Sequence, residues 1–327
     1  MDNNRALQRL RCSVQNYDWG KRGDSSHVAR LYAFNSGSRI QPESPYAELW
    51  MGTHESGPSH VAGSSNRVRS CESLKEWIEK NPSVLGDHVL HKWGCDLPFL
   101  FKVLSVARPL SIQAHPDKAL ARKLHKLQPE LYKDDNHKPE MALAITEFEA
   151  LCGFITFEEL KLVIRDTPEL VDLIGYEDSL RVLHVSEEDD EDDKKSILKT
   201  IFTRIMSANK ETIVSALTKM KLRLQKETHR LNDKEQLVLK LEKQYPGDVG
   251  VISSFFFNYI KLKPGEALYL GANEPHAYLS GDCVECMATS DNVVRAGLSS
   301  KHLDVRTLCS MLSYKQVSEH SVSQKPI

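Results

Sequence analysis

No run in this 327-residue sequence approaches the roughly 18 apolar residues that a membrane span requires. The polar start Met1-Asp2-Asn3-Asn4-Arg5 leads into no apolar stretch of signal-peptide length. A cytoplasmic protein is therefore expected, rather than a membrane-spanning or exported one. Charge of one sign is also missing. A formal net charge of -2 offers no basic surplus for nucleic acid or anionic lipid, so any anionic ligand must be met by local cations. The seven cysteines (Cys12, Cys71, Cys95, Cys152, Cys283, Cys286, Cys309) are odd in number and scattered, which excludes a disulfide framework and suits a reducing compartment. Cys283 and Cys286 form a C-x-x-C with no second pair to complete a zinc knuckle, and on a strand their sulfurs would face opposite ways. Both are expected to be buried thiols. The chain has no repeat of fixed period, and its one biased tract, Glu187 to Asp193, reads as a solvated loop between helices.

What is present is enough for a substantial core, at 40% hydrophobic and 27% charged residues. Up to about residue 115, short apolar runs such as Tyr46 to Gly52 and Phe99 to Leu104 are broken by Gly, Pro, Ser and Asn, the signature of strands and turns. Helices are expected near 71 to 80, where Leu74, Trp77 and Ile78 share a face and Pro82 follows, and near 117 to 127, with Leu120, Leu124 and Leu127 at helical spacing. Between about 155 and 243 the period becomes helical, with Ile197, Ile201 and Ile205, then Ile213, Leu217, Met220 and Leu224, among many charges. After Tyr245-Pro246-Gly247-Asp248 the strand signal returns in Val249 to Leu262, and the turn Lys263-Pro264-Gly265-Glu266 leads into Ala267 to Leu270. The chain thus divides into a β portion (1-154), a helical portion (155-245) and a second β portion (246-327).

Three segments carry metal-binding chemistry. In Ser111-Ile112-Gln113-Ala114-His115 an extended backbone projects Ser111, Gln113 and His115 to one face. In Asn136-His137-Lys138-Pro139-Glu140 the proline disfavours helix before it, and Glu140 opens an apolar strand where a carboxylate needs a partner, either a metal or Lys138. In Gly271-Ala272-Asn273-Glu274-Pro275-His276-Ala277-Tyr278 a turn delivers His276 onto a strand with Tyr278 on the same face. Taken alone, each histidine is more often a hydrogen-bonded structural residue than a ligand. Together an amide oxygen, two imidazoles and a carboxylate form a donor set suited to Zn2+, with Mn, Fe and Co also compatible.

These segments, together with Tyr17-Asp18-Trp19-Gly20, Gln113-Ala114-His115-Pro116-Asp117-Lys118 and Asp291-Asn292-Val293-Val294-Arg295-Ala296-Gly297-Leu298, resemble type I mannose-6-phosphate isomerase, also called phosphomannose isomerase. The resemblance runs from about Leu10 to Tyr314. It implies a mainly β protein with an α-helical insertion, built from cupin-type jelly-roll β-barrel domains, the first within 1-154 and a second within 246-327. It further implies one zinc ion per chain on Gln113, His115, Glu140 and His276, and an active-site arginine at Arg295. The expected activity is interconversion of mannose 6-phosphate and fructose 6-phosphate, supplying GDP-mannose synthesis. The expected partner is a small sugar phosphate, with no nucleic acid or membrane, acting on a monomer. Family members usually continue through a further C-terminal β segment, whereas this sequence stops at Ile327. A C-terminally short β domain with open strand edges and a frayed tail from about Lys315 is the corresponding expectation.

Moving a carbonyl between C1 and C2 of a sugar needs a base and an electrophile for the developing oxyanion. Glu285, opposite Cys286 on the strand Asp282 to Met287, is the first candidate base; Lys138 and His54 are rivals. Arg295, Lys301, Lys102 and Ser111 are candidates for the phosphate, and Arg295 could instead stabilise the enediolate. Trp19 could wall the pocket, Tyr278 shares the face of His276, and Asp291 is expected with Arg295 in a loop before Gly297. Two alternatives stay open: another metal-dependent cupin, including one that needs iron, and a catalytically impaired or non-catalytic sugar-phosphate-binding relative.

Overall fold

The computed structural model describes residues 8-62, 72-226, 231-318 and 323-324. The polar N-terminus Met1 to Arg5 and Cys71 lie outside them. Eleven strands form one antiparallel system: β1 (Ser13–Gln15), β2 (Glu48–Met51), β3 (Phe99–Val106), β4 (Ile112–Ala114), β5 (Glu140–Ala144), β6 (Phe148–Phe154), β7 (Phe257–Leu262), β8 (Ala267–Leu270), β9 (His276–Ala288), β10 (Val294–Gly297) and β11 (Ser323–Gln324). One layer runs β11-β8-β5-β9-β3-β2-β1, and a second is built from β7, β6, β9, β4 and β10.

Both layers share the 13-residue strand β9. Its first half pairs with β6 and β4, and its second half with β3 and β5. The change of layer occurs at Gly281, whose φ of 110° is closed to residues with a side chain, and where a Cβ would sit 2.4 Å from the Glu147 carbonyl oxygen. Leu104, Ala142, Phe148, Ile260, Leu268, Tyr278 and Cys283 pack between the layers. This is the mainly β, cupin-type barrel with a helical domain that the resemblance implied. The strands after residue 246 do not form a sheet of their own among the described residues. They complete the barrel begun by β1 to β6.

Among the described residues, six helices from Phe157–Asp166 to Asp233–Gln244 follow β6. Their apolar faces join the outer face of the second layer in one core that includes Phe154, Phe202, Phe256, Phe257, Ala277 and Leu279. The strands of that layer are therefore buried on both sides. The first layer is covered outside by the helix His27–Ser36 through Val28 and Ala29, while Phe99, Phe101, Met141, Leu143 and Tyr269 remain exposed on that face. No helix among the described residues is long and apolar enough to cross a membrane.

Several local expectations need correction. Val249–Ser253 is α-helical and Ser254–Phe256 a 3-10 turn, with strand only from Phe257. An apolar segment buried all round carries no period to separate helix from strand, and Asp248 settles the matter by capping the Gly250 N–H. Arg295 lies within β10 rather than a loop. The acidic run is only half loop, because Asp190 caps the helix Glu191–Met206 and Glu191 to Asp193 form its first turn, where negative charge faces the positive end of the helix dipole. Leu127 is 66% exposed instead of packed. Cys286 is exposed, not buried, because alternation along β9 that turns Cys283 and Glu285 inward turns Cys286 outward. Thiol labelling with peptide mapping is accordingly expected to modify Cys95 and Cys286 rapidly. Cys152, whose thiol burial pushes up to about 12, should react at least about tenfold more slowly, as should Cys283 and Cys309.

Candidate metal centre and active site

On the inner face of the second layer, Gln113 of β4 lies directly between His276 of β9 and Arg295 of β10. His115 follows at the end of β4, tied in place because its carbonyl accepts the Asn273 N–H at 2.7 Å. Asn273 adopts φ 63° and also bonds Asp117 through its side chain, so the turn before His276 and the segment carrying His115 hold one another. Glu140 enters from the opposing layer at the start of β5.

Four side chains thus converge. His115 Nε2 lies 3.4 Å from Glu140 Oε1 and His276 Nε2 lies 3.3 Å from Glu140 Oε2. The Gln113 amide is 3.5 Å from His276 Nε2. Each imidazole points its Nδ1 at a backbone carbonyl, His115 at Asn292 (2.7 Å) and His276 at Glu274 (3.0 Å). A carbonyl only accepts, so both Nδ1 atoms carry the proton and both Nε2 atoms face inward as lone pairs. Accordingly His115 Nε2 and Glu140 Oε2 are buried without a hydrogen-bond partner. Two lone pairs and a carboxylate aimed at one another need a cation between them, and carbonyl bonds that fix the tautomer are the usual support of metal-bound histidines. Half a turn of the Gln113 amide presents its oxygen as a fourth donor. Burial, opposed by Glu140, lowers the His115 imidazole to about 4, which keeps it in its ligating form. Burial alone would raise Glu140, but the neighbouring His115 and Lys138 hold it well below the usual carboxylate range.

Glu140 and Gln113 form one wall of a cavity of about 570 Å³ between the layers. Across it runs a cross-strand row, Trp50 on β2, Lys102 on β3 and Glu285 on β9. Lys102 Nζ lies 2.9 Å from Glu285 Oε2 and 3.5 Å from Glu48 Oε2. The Tyr278 hydroxyl donates to Glu285 Oε1 at 2.9 Å, and Trp50 Nε1 donates to Glu48. Burial would lower Lys102, yet Glu285, Glu48 and Glu140 together raise it and keep it charged. Burial raises the Glu285 carboxyl, with Glu140 and Glu48 adding to the rise and Lys102 opposing it. Arg295 faces the same cavity with no ion-pair partner among the described residues; burial lowers its guanidinium pKa. A desolvated guanidinium with no carboxylate partner is a site prepared for an anion.

The sequence pattern of the family "Phosphomannose isomerase type I, catalytic domain" matches residues 7–157, and its "helical insertion domain" matches residues 173–257. Mannose-6-phosphate isomerase 1 of Arabidopsis thaliana is 66% identical over 315 residues, which is 95% of this chain and 72% of that protein. The chain belongs to the type I phosphomannose isomerase family. The human mannose-6-phosphate isomerase is 48% identical over 310 residues, 93% of this chain and 72% of that one. Among solved structures, a mutant phosphomannose isomerase from Salmonella typhimurium superposes with a TM-score of 0.83 at 32% identity, covering 98% of this chain and 78% of that one. A mannose 6-phosphate isomerase bound with zinc and yttrium gives 0.81 at 33% identity, covering 98% and 77%.

In this phosphomannose isomerase family member the sequence-derived candidates mostly meet in one place. Gln113, Glu140, Lys138, Lys102, Glu285, His54, Trp19, Tyr278, Asp291, Arg295 and Lys301 all line the main cavity, His115 and His276 lie behind it, and Ser111 lines an adjoining chamber. Lys138 sits 3.6 Å from Glu140, so it partners the very carboxylate that also faces the histidines. His54 leans edge-on against Trp50, 3.4 Å from Asp291. Sequence reasoning missed Glu48 and Trp50, which an alternation of Glu and Trp on an otherwise apolar strand could have flagged. It also missed Tyr17, stacked at 5.8 Å on Trp19, which makes the Tyr-Asp-Trp-Gly segment a two-ring platform at the cavity mouth.

Proposed function

We propose that the protein interconverts mannose 6-phosphate and fructose 6-phosphate through a cis-enediol, with one zinc ion per chain on Gln113, His115, Glu140 and His276. In this reading it supplies mannose 6-phosphate for GDP-mannose synthesis. The convergence of two inward imidazole lone pairs on Glu140 beside an unpaired Arg295 carries this reading. When bound, the metal supplies a Lewis acid and an anchor for sugar hydroxyls.

The chain's own residues account for the rest. Glu285, its carboxyl raised by burial, takes the proton from C2 of the aldose and returns it to C1, the Tyr278 hydroxyl and Lys102 holding its two oxygens in place. Arg295 faces the negative charge that develops on the sugar oxygens. Trp19 stacks against the sugar. Ser111 and Lys301, at the other end of the cavity, receive the phosphate. Lys138, in ion-pair range of Glu140, and His54, beside Asp291, position their partners.

Purified protein is expected to hold about one zinc per chain, to isomerise mannose 6-phosphate, and to lose activity on chelation and regain it with Zn2+. Metal analysis with a coupled isomerase assay checks this. Stoichiometric metal with no isomerisation would sink the reading.

A further inference from the structure

Beside the metal centre the cavity opens into a chamber of about 310 Å³ lined by Ser111, Ser299 and Ser300, by Arg295, Lys301 and Arg108, and by the carboxylates of Asp18 and Glu48. Glu48 is already engaged with Lys102 and Trp50. Arg108 has no carboxylate within ion-pair distance among the described residues. Its guanidinium instead lies 5.9 Å from the ring centroid of Tyr245. Tyr245 caps the C-terminus of the helix Asp233–Gln244 and donates its hydroxyl to the Pro109 carbonyl at 2.6 Å. The last helix of the insertion therefore grips the loop 107-111 and holds the Arg108 guanidinium on a ring face beside three serine hydroxyls.

Three residues further on, Asp248 fixes the opposite wall. Its carboxylate accepts the N–H of Leu298 at 2.7 Å and of Ser299 at 3.3 Å, and Leu298 is held at φ 52°, a conformation a branched residue keeps only when its surroundings enforce it. One turn of chain, Tyr245 to Asp248, thus shapes both sides of the chamber.

We infer that Arg108 is a further substrate-binding residue, a guanidinium that the helical domain presents through Tyr245 to the phosphate of the sugar. The inference rests on the sugar-phosphate reading above and adds a residue that the sequence did not suggest. A guanidinium already oriented on an aromatic face loses little freedom on pairing, and its fork matches two phosphate oxygens at once.

The test uses the full chain with its metal. Arg108→Ala is expected to raise KM for mannose 6-phosphate about tenfold, with kcat changed by less than about twofold, and to weaken competitive inhibition by inorganic phosphate by the same factor. Arg108→Lys should recover only part of both, because the bidentate geometry is lost. Tyr245→Phe, which keeps the ring but releases Pro109, should raise KM by about two- to threefold. Unchanged KM and unchanged phosphate inhibition in an active Arg108→Ala protein overturn the inference, as does a fall in kcat at constant KM. If the parent protein does not isomerise mannose 6-phosphate, the functional reading fails separately. Calorimetric binding of inorganic phosphate then still decides about Arg108, since equal affinity in parent and variant overturns it.

Discussion

Glu140→Ala is expected to empty the metal centre and abolish isomerisation together. In the proposed zinc set Glu140 is the one charged donor and the only member contributed by the first layer, and it lies 3.3 to 3.4 Å from both imidazoles. Loss of an outer partner of a metal ligand already costs 10–100-fold in affinity or activity, so loss of this carboxylate should exceed about 100-fold in metal affinity. It also leaves Lys138, 9% exposed, without the carboxylate at 3.6 Å. Removing one partner of a buried pair is more damaging than never having had it, so the variant should also melt earlier. Glu140→Gln separates the two effects: it keeps the volume and loses the charge. Metal per chain, measured beside thermal unfolding and activity, reads all three quantities. A Glu140→Ala protein that keeps stoichiometric zinc would remove Glu140 from the ligand set.

Arg295→Ala should behave in the opposite way, retaining the metal while kcat/KM falls by about 10² to 10³, the range seen when one donor aimed at a developing oxyanion is lost. Arg295 pairs in register with Gln113, so it is placed beside the proposed ligands without being one. No described carboxylate neutralises it, and its removal therefore breaks no ion pair and should leave stability within about 0.5 kcal/mol, as for substitutions outside stabilising contacts. Inductively coupled plasma metal analysis and steady-state kinetics on one preparation decide the matter. Loss of zinc with the arginine would show a structural role, and an unchanged kcat/KM would remove it from the chemistry.

Much of this site was legible in sequence because its signals are local. Gln113 and His115 share a face by strand alternation, Pro139 sets Glu140 at a strand start, and the turn before His276 is written in Gly271, Asn273 and Pro275. What was not legible is long-range. The row Trp50-Lys102-Glu285 depends on a register between three strands scattered over more than two hundred positions, and no local pattern states which strands will be neighbours. Arg108 depends on a tyrosine arriving from the helical insertion. Val249 to Phe256 failed for a different reason: burial on every side removes the periodicity on which such a reading rests. Placing Arg295 in a loop failed because the strand Val294–Gly297 is only 4 residues long, too short to show alternation.

Gly281 has a mechanical consequence. Because the bend there lets one strand serve both layers, His276 of the metal set and the carboxylate Glu285 are joined by nine peptide links of paired backbone rather than by a gap between two bodies. Should the two layers breathe apart, both ends of that strand travel as parts of one bent ruler, so the span between His276 and Glu285 is held by covalent geometry and paired backbone.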